Sequence, residues 1–371
     1  MPLPRPVVAG AGMAGLVAAA RLRELRCDPV VRERGTRVGG SMVLSSGFVW
    51  RHREWADFRR ECPAGDARLQ RLVWERLDDA LDWLESLGAE ALLRHTGNPL
   101  TAGRRFDPRR LVEVLLRHAG TVELAGDGCA AVVDGRTPAV LCTGGFAASP
   151  ELVARHIAPA APLRLRGNPW SHGDGLRAAL ARGGMLGGGM DEFYGRNMPD
   201  AAWGEDELVS AAQLYARFAT VVDETGAEVL ARGRVTWSET NVVQATARRP
   251  GARAYYLLDE RALAQRVRER TVGEIVAAAP AEAHVAPADL PFTPPHGIVA
   301  AVRVVASITH TIGGIRVDEH ARVLREAGGV VAGLFAAGVD VGGVATGGYA
   351  SGLAQALVFG LVAAESLAAC L

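Results

Sequence analysis

The chain has 371 residues, of which 49% are hydrophobic and 22% charged, and its 41 basic residues balance 41 acidic ones. This length predicts two domains, or one large α/β domain with an insertion, and the zero net charge gives no attraction to nucleic acid or to acidic membranes. None of the basic residues is Lys, which excludes pyridoxal phosphate enzymes, Walker-A NTPases and protein kinases, because each of these classes needs a Lys.

The cysteines are scattered along the chain without a CxxC pair or a Cys/His cluster of metal-binding spacing. They are Cys27, Cys62, Cys129, Cys142 and Cys370. This pattern predicts reduced thiols inside a cell and no metal site. Glycines interrupt the apolar stretch at residues 7–20, and Gln355 and Glu365 interrupt the one at 353–371. We therefore expect a cytoplasmic protein without a membrane span.

The first fifty residues predict a βαβ unit. A short apolar strand at Val7–Ala9 leads into a turn with glycines at positions 10, 12 and 15, and residues 16–25 follow with helical spacing. A second strand at 29–33 ends on Glu33, 18 residues after Gly15. This arrangement is the dinucleotide-binding fingerprint.

The middle of the chain predicts helices at 68–87, from Asp107-Pro108 through His118, and at 174–182. A Gly-interrupted β segment is expected at 121–133 and a buried strand at 139–143, which ends on Gly144-Gly145. These assignments rest on apolar periodicity and on the Pro and Gly residues that mark element ends.

Five glycines within residues 183–189 indicate a crossover to a second domain. Aromatic residues are frequent from 190 to about 295, and residues 280–295 read as a Pro/Ala-rich return linker. Strands at 302–308 and 334–337, a Gly-dense loop at 338–352 and a buried terminal helix complete the prediction.

The fingerprint residues have a direct physical role. Glycine at position 12 removes a side chain that would collide with a pyrophosphate, and Gly15 allows close packing of helix and strand. Glu33 is placed to accept hydrogen bonds from the adenosine ribose. The fingerprint by itself does not separate NAD from FAD, so a plain NAD(P) dehydrogenase remains an alternative.

Further segments are similar, in order along the chain, to those of one flavoprotein superfamily. They are Arg37-Val38-Gly39-Gly40-Ser41, Ser45-Ser46-Gly47, Leu141-Cys142-Thr143-Gly144-Gly145-Phe146, His172-Gly173-Asp174-Gly175, Thr309-His310-Thr311-Ile312-Gly313-Gly314, Ala336-Ala337-Gly338-Val339-Asp340 with Gly342-Gly343, and Gly352-Leu353-Ala354. Together they resemble the fumarate reductase/succinate dehydrogenase flavoproteins, which include the 3-ketosteroid Δ1-dehydrogenases.

The resemblance implies an α/β fold, with a Rossmann-like FAD-binding domain of the glutathione reductase type and a small inserted α+β cap. We expect the discontinuous FAD-binding domain at 1–188 and 296–371, and the cap at 189–295. The resemblance also implies FAD-binding residues throughout the first domain: Gly10, Gly12, Met13, Ala14, Gly15, Glu33, Arg34, Gly39, Gly40, Ser41, Ser45, Ser46, Gly47, Cys129, Thr143, Gly144, Gly145, Asp174, Gly338, Asp340, Gly352, Leu353 and Ala354.

We expect the FAD to be bound non-covalently, because residues 37–47 contain no His. The nearest His is His52, which we interpret as an exposed loop residue. Leu353 and Ala354 would begin the last helix, whose positive end would stabilise an anionic reduced flavin.

The sequence departs from the fumarate reductases at two arginines. The second family Arg aligns near Gly347, and residues 338–360 contain no Arg. The cap Arg would fall at 237–239, and Arg232 and Arg234 are near that stretch without being in register. A dicarboxylate needs charged, bidentate clamps, so these losses argue against fumarate or succinate as the substrate.

The remaining candidates for catalysis are His310, Tyr349 and Tyr194, followed by Arg196 and Arg234. The resemblance implies that His310 has the position of the family's substrate-polarising His. We predict hydride transfer to or from flavin N5 that makes or reduces a C=C bond next to a carbonyl. The substrate would be a small-molecule ketone, steroid-like or a secondary metabolite, with an unknown electron acceptor or donor. The alternatives are a catalytically silent FAD-binding protein and a fumarate reductase-like dicarboxylate reductase.

Overall fold

A computed structural model describes residues 5–371. Its strands are β1 (Val7–Ala9), β2 (Val30–Arg32), β3 (Phe48–His52), β4 (Ala91–Leu93), β5 (Thr101–Phe106), β6 (Val122–Glu123), β7 (Ala139–Leu141), β8 (Arg164–Leu165), β9 (Phe193–Pro199), β10 (Thr220–Val222), β11 (Arg253–Leu258), β12 (Arg266–Val267), β13 (Arg270–Thr271), β14 (His284–Val285), β15 (Ala300–Thr311), β16 (Arg322–Leu324) and β17 (Val330–Ala336).

The α-helices are α1 (Met13–Glu24), α2 (Trp55–Glu61), α3 (Ala67–Ser86), α4 (Pro108–Ala119), α5 (Ala130–Val133), α6 (Pro150–His156), α7 (Asp174–Ala181), α8 (Thr240–Ala247), α9 (Glu260–Leu263), α10 (Val272–Ala277) and α11 (Gly352–Ala368). Short 3₁₀ turns lie between them, two of which, at 40–44 and 338–340, belong to the candidate site.

The chain divides into two compact units. The first comprises residues 5–152, 167–192 and 310–371, and the second comprises 153–166 and 193–309. The first unit is built on a six-stranded sheet in the order β16-β17-β7-β1-β2-β6. Strands β17, β7, β1, β2 and β6 run parallel, and β16 is antiparallel to β17. The carboxyl ends of the parallel strands therefore meet at one edge of the sheet, where ligands bind in such folds.

Helices α1 and α11 pack together over this sheet. Both are apolar on almost every face, as expected of helices covered on all sides. Their approach depends on Gly360, because a Cβ at that position would lie 2.8 Å from the carbonyl oxygen of Ala14. The predicted buried terminal helix is confirmed, and no helix within residues 5–371 is long and apolar enough to cross a membrane.

A three-stranded antiparallel sheet, β3-β5-β4, belongs to the same unit. Beside it lies α3, which Asp66 caps: the Asp66 carboxylate accepts from the N–H of Arg68 at 2.9 Å. Asp107 caps α4 in the same way, with Pro108 in the first turn. Asp107 with Pro108 made the start of α4 predictable from sequence, whereas α3 was predicted from its apolar periodicity.

The second unit is an antiparallel sheet, β10-β11-β15-β14, with helices on it. Its core includes Tyr215 and Tyr256, whose rings meet edge to face with centroids 5.4 Å apart. Residues 153–166 also belong to this unit, although they lie earlier in the chain, because β8 pairs in parallel with Ser307 and Ile308 of β15.

Several expectations differ from the structure. Residues 121–133 form a two-residue strand and a short helix, α5, instead of a β segment, since the Gly-rich turn after β6 ends the pairing. The expected linker at 280–295 contains β14, which pairs with β15. The second unit extends to Thr309, beyond the boundary expected at 295, because β15 pairs with β11 over residues 300–305, with β14 at 301–302 and with β8 at 307–308.

Candidate active site

The fingerprint glycines lie at the carboxyl end of β1 and have different neighbours. A Cβ on Gly10 would lie 2.2 Å from the carbonyl oxygen of Cys142, and one on Gly15 would lie 1.9 Å from that of Gly10. Among the described residues, a Cβ on Gly12 would meet the Cα of Gly40 alone, at 3.9 Å. Packing therefore requires Gly10 and Gly15, whereas Gly12 borders open space at the start of α1.

Two predicted adenosine-binding residues follow β2. Glu33 is buried, and its carboxylate oxygens accept from the N–H groups of Ala11 at 2.8 Å and Gly35 at 2.7 Å. Each oxygen keeps a second lone pair for a further donor. Arg34 pairs with Asp174, the first residue of α7, and this hydrogen bond raises the pKa of the guanidinium. Cys129 is buried just before α5, and burial raises the pKa of its thiol.

The segment between β2 and β3 turns back onto the first loop. The N–H of Gly39 donates to the carbonyl oxygen of Ala11 at 2.8 Å. The hydroxyl of Ser41 accepts from the N–H of Asn168 at 3.2 Å, and that of Ser45 accepts from Gly47 at 3.1 Å. Gly40 thus lies beside the opening at Gly12, together with Asn168, which the sequence did not indicate.

Asp340 joins two strand ends of the sheet. Its buried carboxylate accepts from the N–H and hydroxyl of Thr143 and from the N–H of Gly145 at 2.9 Å. Thr143 in turn accepts from the N–H of Gly175 at 3.1 Å. Burial raises the pKa of Asp340, and the hydrogen bonds from Gly145 and Thr143 act in the opposite direction. Within the protein, Asp340 therefore fixes the loops after β7 and β17.

The amino end of α11 lies beside His310. Ser351 caps the helix by accepting from the N–H of Ala354 at 3.3 Å, and a Cβ on Gly352 would lie 3.1 Å from Nε2 of His310. Gln355 donates to the carbonyl oxygen of Gly338 at 2.8 Å. The helix start, the loop at 338–340 and His310 are thereby held together.

The imidazole of His310 has an assignable tautomer. Its Nδ1 is 3.1 Å from the carbonyl oxygen of Thr311, which only accepts hydrogen bonds, so Nδ1 carries the proton. Burial lowers the pKa of His310. The ring is therefore neutral near pH 7, with its lone pair on Nε2.

Tyr349 is half-buried in the loop before α11. Its ring meets Trp50 edge to face at 5.7 Å. Its main chain interacts with the ring of His52 and the thiol of Cys62. The expectation of an exposed His52 is wrong: the residue ends β3 at 1% exposure, among Trp50, Phe58 and Tyr349, and burial lowers its pKa.

Tyr194 belongs to the second unit, on β9. The guanidinium of Arg196 lies 4.8 Å from the centre of its ring and donates to the carbonyl oxygen of Ser238. Residues 237–239 are the stretch where the resemblance places the cap Arg, and the guanidinium that reaches it comes from Arg196. Arg232 and Arg234 both lie in a 3₁₀ turn that precedes residues 237–239, so neither has the sequence position of the cap Arg.

Glu239 is a residue that sequence reasoning missed. It is buried, has a φ of +55°, and lies near Arg196 and Arg217. Burial raises its pKa to about 7, while those two guanidiniums and the N–H groups of Ala216 and Arg217 act in the opposite direction. No local pattern marks a buried Glu at this position.

The residues of the first unit fit an FAD molecule. Gly12 borders a space that a Cβ would enter, and within residues 5–371 no side chain caps the first N–H groups of α1. A helix amino end with uncapped N–H groups is suited to bind phosphate, and Glu33 follows β2, where the fingerprint predicts the contact with the ribose. The predicted FAD residues after β1, β2, β7 and β17 share the carboxyl edge of one sheet.

Comparison with known proteins agrees with this geometry. The FAD binding domain family matches residues 56–353, and an NAD(P)-binding Rossmann-like domain matches residues 8–45. The chain belongs to the FAD binding domain family. No curated protein sequence matches it.

Solved structures share the fold at low identity. They include 3-ketosteroid-Δ4-(5α)-dehydrogenase from Rhodococcus jostii RHA1 with 4-androstene-3,17-dione (TM-score 0.73, 18% identity, 98% of this chain and 96% of that one). They also include 3-ketosteroid Δ1-dehydrogenase from Sterolibacterium denitrificans with 1,4-androstadiene-3,17-dione (TM-score 0.71, 15% identity, 100% of both chains). A third is a flavocytochrome c3 fumarate reductase (TM-score 0.70, 19% identity, 99% of this chain and 78% of that one).

The predicted Rossmann-like α/β fold is confirmed, and the family match confirms the predicted FAD-binding class. The family match supports FAD as the cofactor. Its individual FAD contacts and catalytic residues stay predictions.

Proposed function

We propose that the protein makes or reduces a C=C bond next to the carbonyl of an uncharged ketone, steroid-like or secondary-metabolite substrate. The observation that carries this proposal is the position of His310, whose neutral Nε2 lies at the amino end of α11. FAD, when bound, supplies the hydride acceptor or donor for the carbon β to the carbonyl.

His310 acts as the proton acceptor at the carbon next to the carbonyl. The resemblance gave this residue a polarising role, which requires a donated hydrogen bond. Because the Nδ1 proton is directed to Thr311, neutral His310 accepts at Nε2 and does not donate there. Its lowered pKa keeps it in the accepting form at neutral pH.

Tyr349 donates the hydrogen bond that polarises the carbonyl, which acidifies the neighbouring C–H bond. Contact with Trp50 orients its ring. Tyr194 is the second candidate for this role, supported by the guanidinium of Arg196 beside its ring.

An uncharged substrate is supported by the loop before α11. The resemblance places an Arg of the fumarate reductases near Gly347, and the φ of +90° at Gly347 disfavours any side chain. A Cβ there would also lie 3.0 Å from Cδ of Pro63. We further propose that FAD is bound non-covalently, since residues 37–47 contain no His and His52 is buried among aromatic rings.

The first test is the visible spectrum of the purified protein before and after acid precipitation. We expect a flavin spectrum and release of FAD into the supernatant. Chromophore that stays with the precipitate would contradict non-covalent binding. A colourless protein that FAD does not reconstitute would favour the NAD(P) alternative.

The second test follows anaerobic reoxidation of the reduced protein by acceptors that share one C=C bond. Dimethyl fumarate is uncharged and fumarate is a dianion, and a cyclic enone adds a ring ketone. We expect the neutral acceptors to react faster. Turnover on fumarate that equals or exceeds every enone would overturn the proposal, and no reaction with any acceptor would favour a silent FAD-binding protein.

Variants test the assigned roles. His310→Asn should lower the rate of flavin reduction or reoxidation about a hundredfold, and Tyr349→Phe should lower it in the same direction. The exposed His296→Asn and the second-unit Tyr255→Phe are matched controls. Unchanged rates in both site variants would remove His310 and Tyr349 as catalytic residues.

A further inference from the structure

A buried amide on α3 holds the loop that leads to Tyr349. Gln70 is 0% exposed. Its Nε2 donates to the carbonyl oxygens of Cys62 at 2.9 Å and Val344 at 2.8 Å, and its Oε1 accepts from Arg59. Both N–H groups of the amide are thus used, and its oxygen is paired. A buried amide without these partners would destabilise the fold.

Arg59 completes this arrangement on the turn between α2 and α3. Its guanidinium donates to the carbonyl oxygens of Pro63 at 2.9 Å and Gly65 at 2.8 Å. The turn has no regular structure, so these side chains replace the backbone partners that a helix or strand would provide. The position of this turn relative to Gln70 is therefore fixed.

The segment at residues 62–70 is hydrogen-bonded to the loop before α11 at two consecutive residues, Gly343 and Val344. The N–H of Asp66 donates to the carbonyl oxygen of Gly343 at 2.8 Å, next to the bond from Gln70 to Val344. Farther along the loop, the main chain of Tyr349 interacts with the thiol of Cys62. The loop contains glycines at 342, 343, 347 and 348, and such a sequence has a high entropic cost of ordering.

We propose that Gln70 is a positioning residue that fixes the loop at Val344 and thereby places Tyr349 for the reaction. This proposal rests on the proposed function of Tyr349. Gln70 itself contacts main-chain carbonyls and Arg59, so its effect on the reaction passes through the loop. An apolar side chain of equal size would fill the same space without holding the carbonyl of Val344.

The experiment compares Gln70→Met, Gln70→Glu and Tyr349→Phe in the FAD-loaded protein. Gln70→Glu keeps the acceptor for Arg59 and loses both donated bonds. Glu75→Gln, on the exposed face of the same helix, is the control. The readouts are the melting temperature and, well below it, turnover per bound FAD with a neutral enone.

We expect both Gln70 variants to lose turnover per bound FAD by about tenfold or more, in line with the effect of misplacing a reacting group by about 1 Å. The double variant Gln70→Met/Tyr349→Phe should be no slower than Tyr349→Phe alone, because both changes remove the same contribution. Losses that multiply, or turnover within twofold of wild type in Gln70→Met, would overturn the proposal.

A purely structural role would lower the melting temperature and leave turnover per bound FAD unchanged, which also overturns it. If the wild-type protein turns over no acceptor, the proposed function fails, and the properties of the bound flavin then test the role of Gln70. The visible spectrum and the midpoint potential of the flavin should shift in both Gln70 variants and stay unchanged in Glu75→Gln. Identical spectra and potentials in all proteins would overturn the positioning role.

Discussion

Nε2 of His310 lies 3.1 Å from the point where a Cβ on Gly352 would stand. His310 is the last residue but one of β15 and Gly352 begins α11, so this contact joins the longest strand of residues 5–371 to the helix α11. It leaves no room for a larger residue at position 352 without displacing the imidazole.

We therefore expect Gly352→Ala to lower turnover per bound FAD about tenfold while the fold is retained. Ala has the better helix propensity, and Gly352 has no positive φ that a side chain would strain. Stopped-flow flavin reduction and thermal melting measure the two effects. Gly233→Ala is the control, because nothing lies within 4 Å of its added Cβ. Full turnover in Gly352→Ala would contradict a catalytic position for His310.

Substitutions of the two glycines at the start of α1 should have different effects, one on FAD binding and the other on the packing of the fold. Gly12→Ala adds a methyl group into the opening and should fold with nearly unchanged melting temperature, but with FAD affinity reduced at least about tenfold. Gly15→Ala places its Cβ 1.9 Å from the carbonyl oxygen of Gly10 and should fail to fold stably. Fluorescence titration with FAD measures the first effect. Wild-type FAD affinity in Gly12→Ala would remove this opening as the pyrophosphate site.

Asp340→Asn should destabilise the first unit. The buried carboxylate accepts from Thr143 and Gly145, and an amide turns one acceptor into a donor that faces an N–H group. We expect a loss of about 3 kcal/mol in the free energy of unfolding. Urea unfolding of the FAD-free protein measures it, with the exposed Asp289→Asn as control. A loss below about 1 kcal/mol would show that Asp340 does not hold these loops.

The raised pKa of Glu239 predicts that the free energy of unfolding depends on pH. Burial raises its pKa from 4.5 to about 7 in the folded protein. Between these values the folded state binds more protons than the unfolded state, so this contribution is fully present below pH 4.5 and is lost as the pH rises through 7. Glu239→Gln stays neutral and should gain stability relative to wild type, by up to about 3 kcal/mol at pH 8.

Urea unfolding of wild type and Glu239→Gln from pH 5 to pH 8 checks this prediction. The difference between the two proteins isolates Glu239 from other titrating groups. Glu282→Gln, at an exposed position, should show no such trend. A constant difference across this range would mean that Glu239 is ionised throughout.

The sequence determined the elements whose signals are local. Glycines 10, 12 and 15 with Glu33 predict the first βαβ unit, because that motif fixes its own turn and helix start. The cap at Asp107 and the apolar stripe of α3 predict helices for the same reason. The loops after β1, β2, β7 and β17 stay predicted FAD-binding segments, as the resemblance of their glycine-containing motifs implies.

Tertiary structure decided the contacts that join distant parts of the chain. Gln70 and Val344 are 274 residues apart, and no periodicity in either segment records their hydrogen bond. Residues 153–166 join the second unit because β8 pairs with β15. Arg196 reaches Ser238 in the same way, and packing against Trp50 and Phe58 buries His52. Sequence patterns report which face of an element is apolar, whereas the partner of a buried polar group is set by which elements fold against each other.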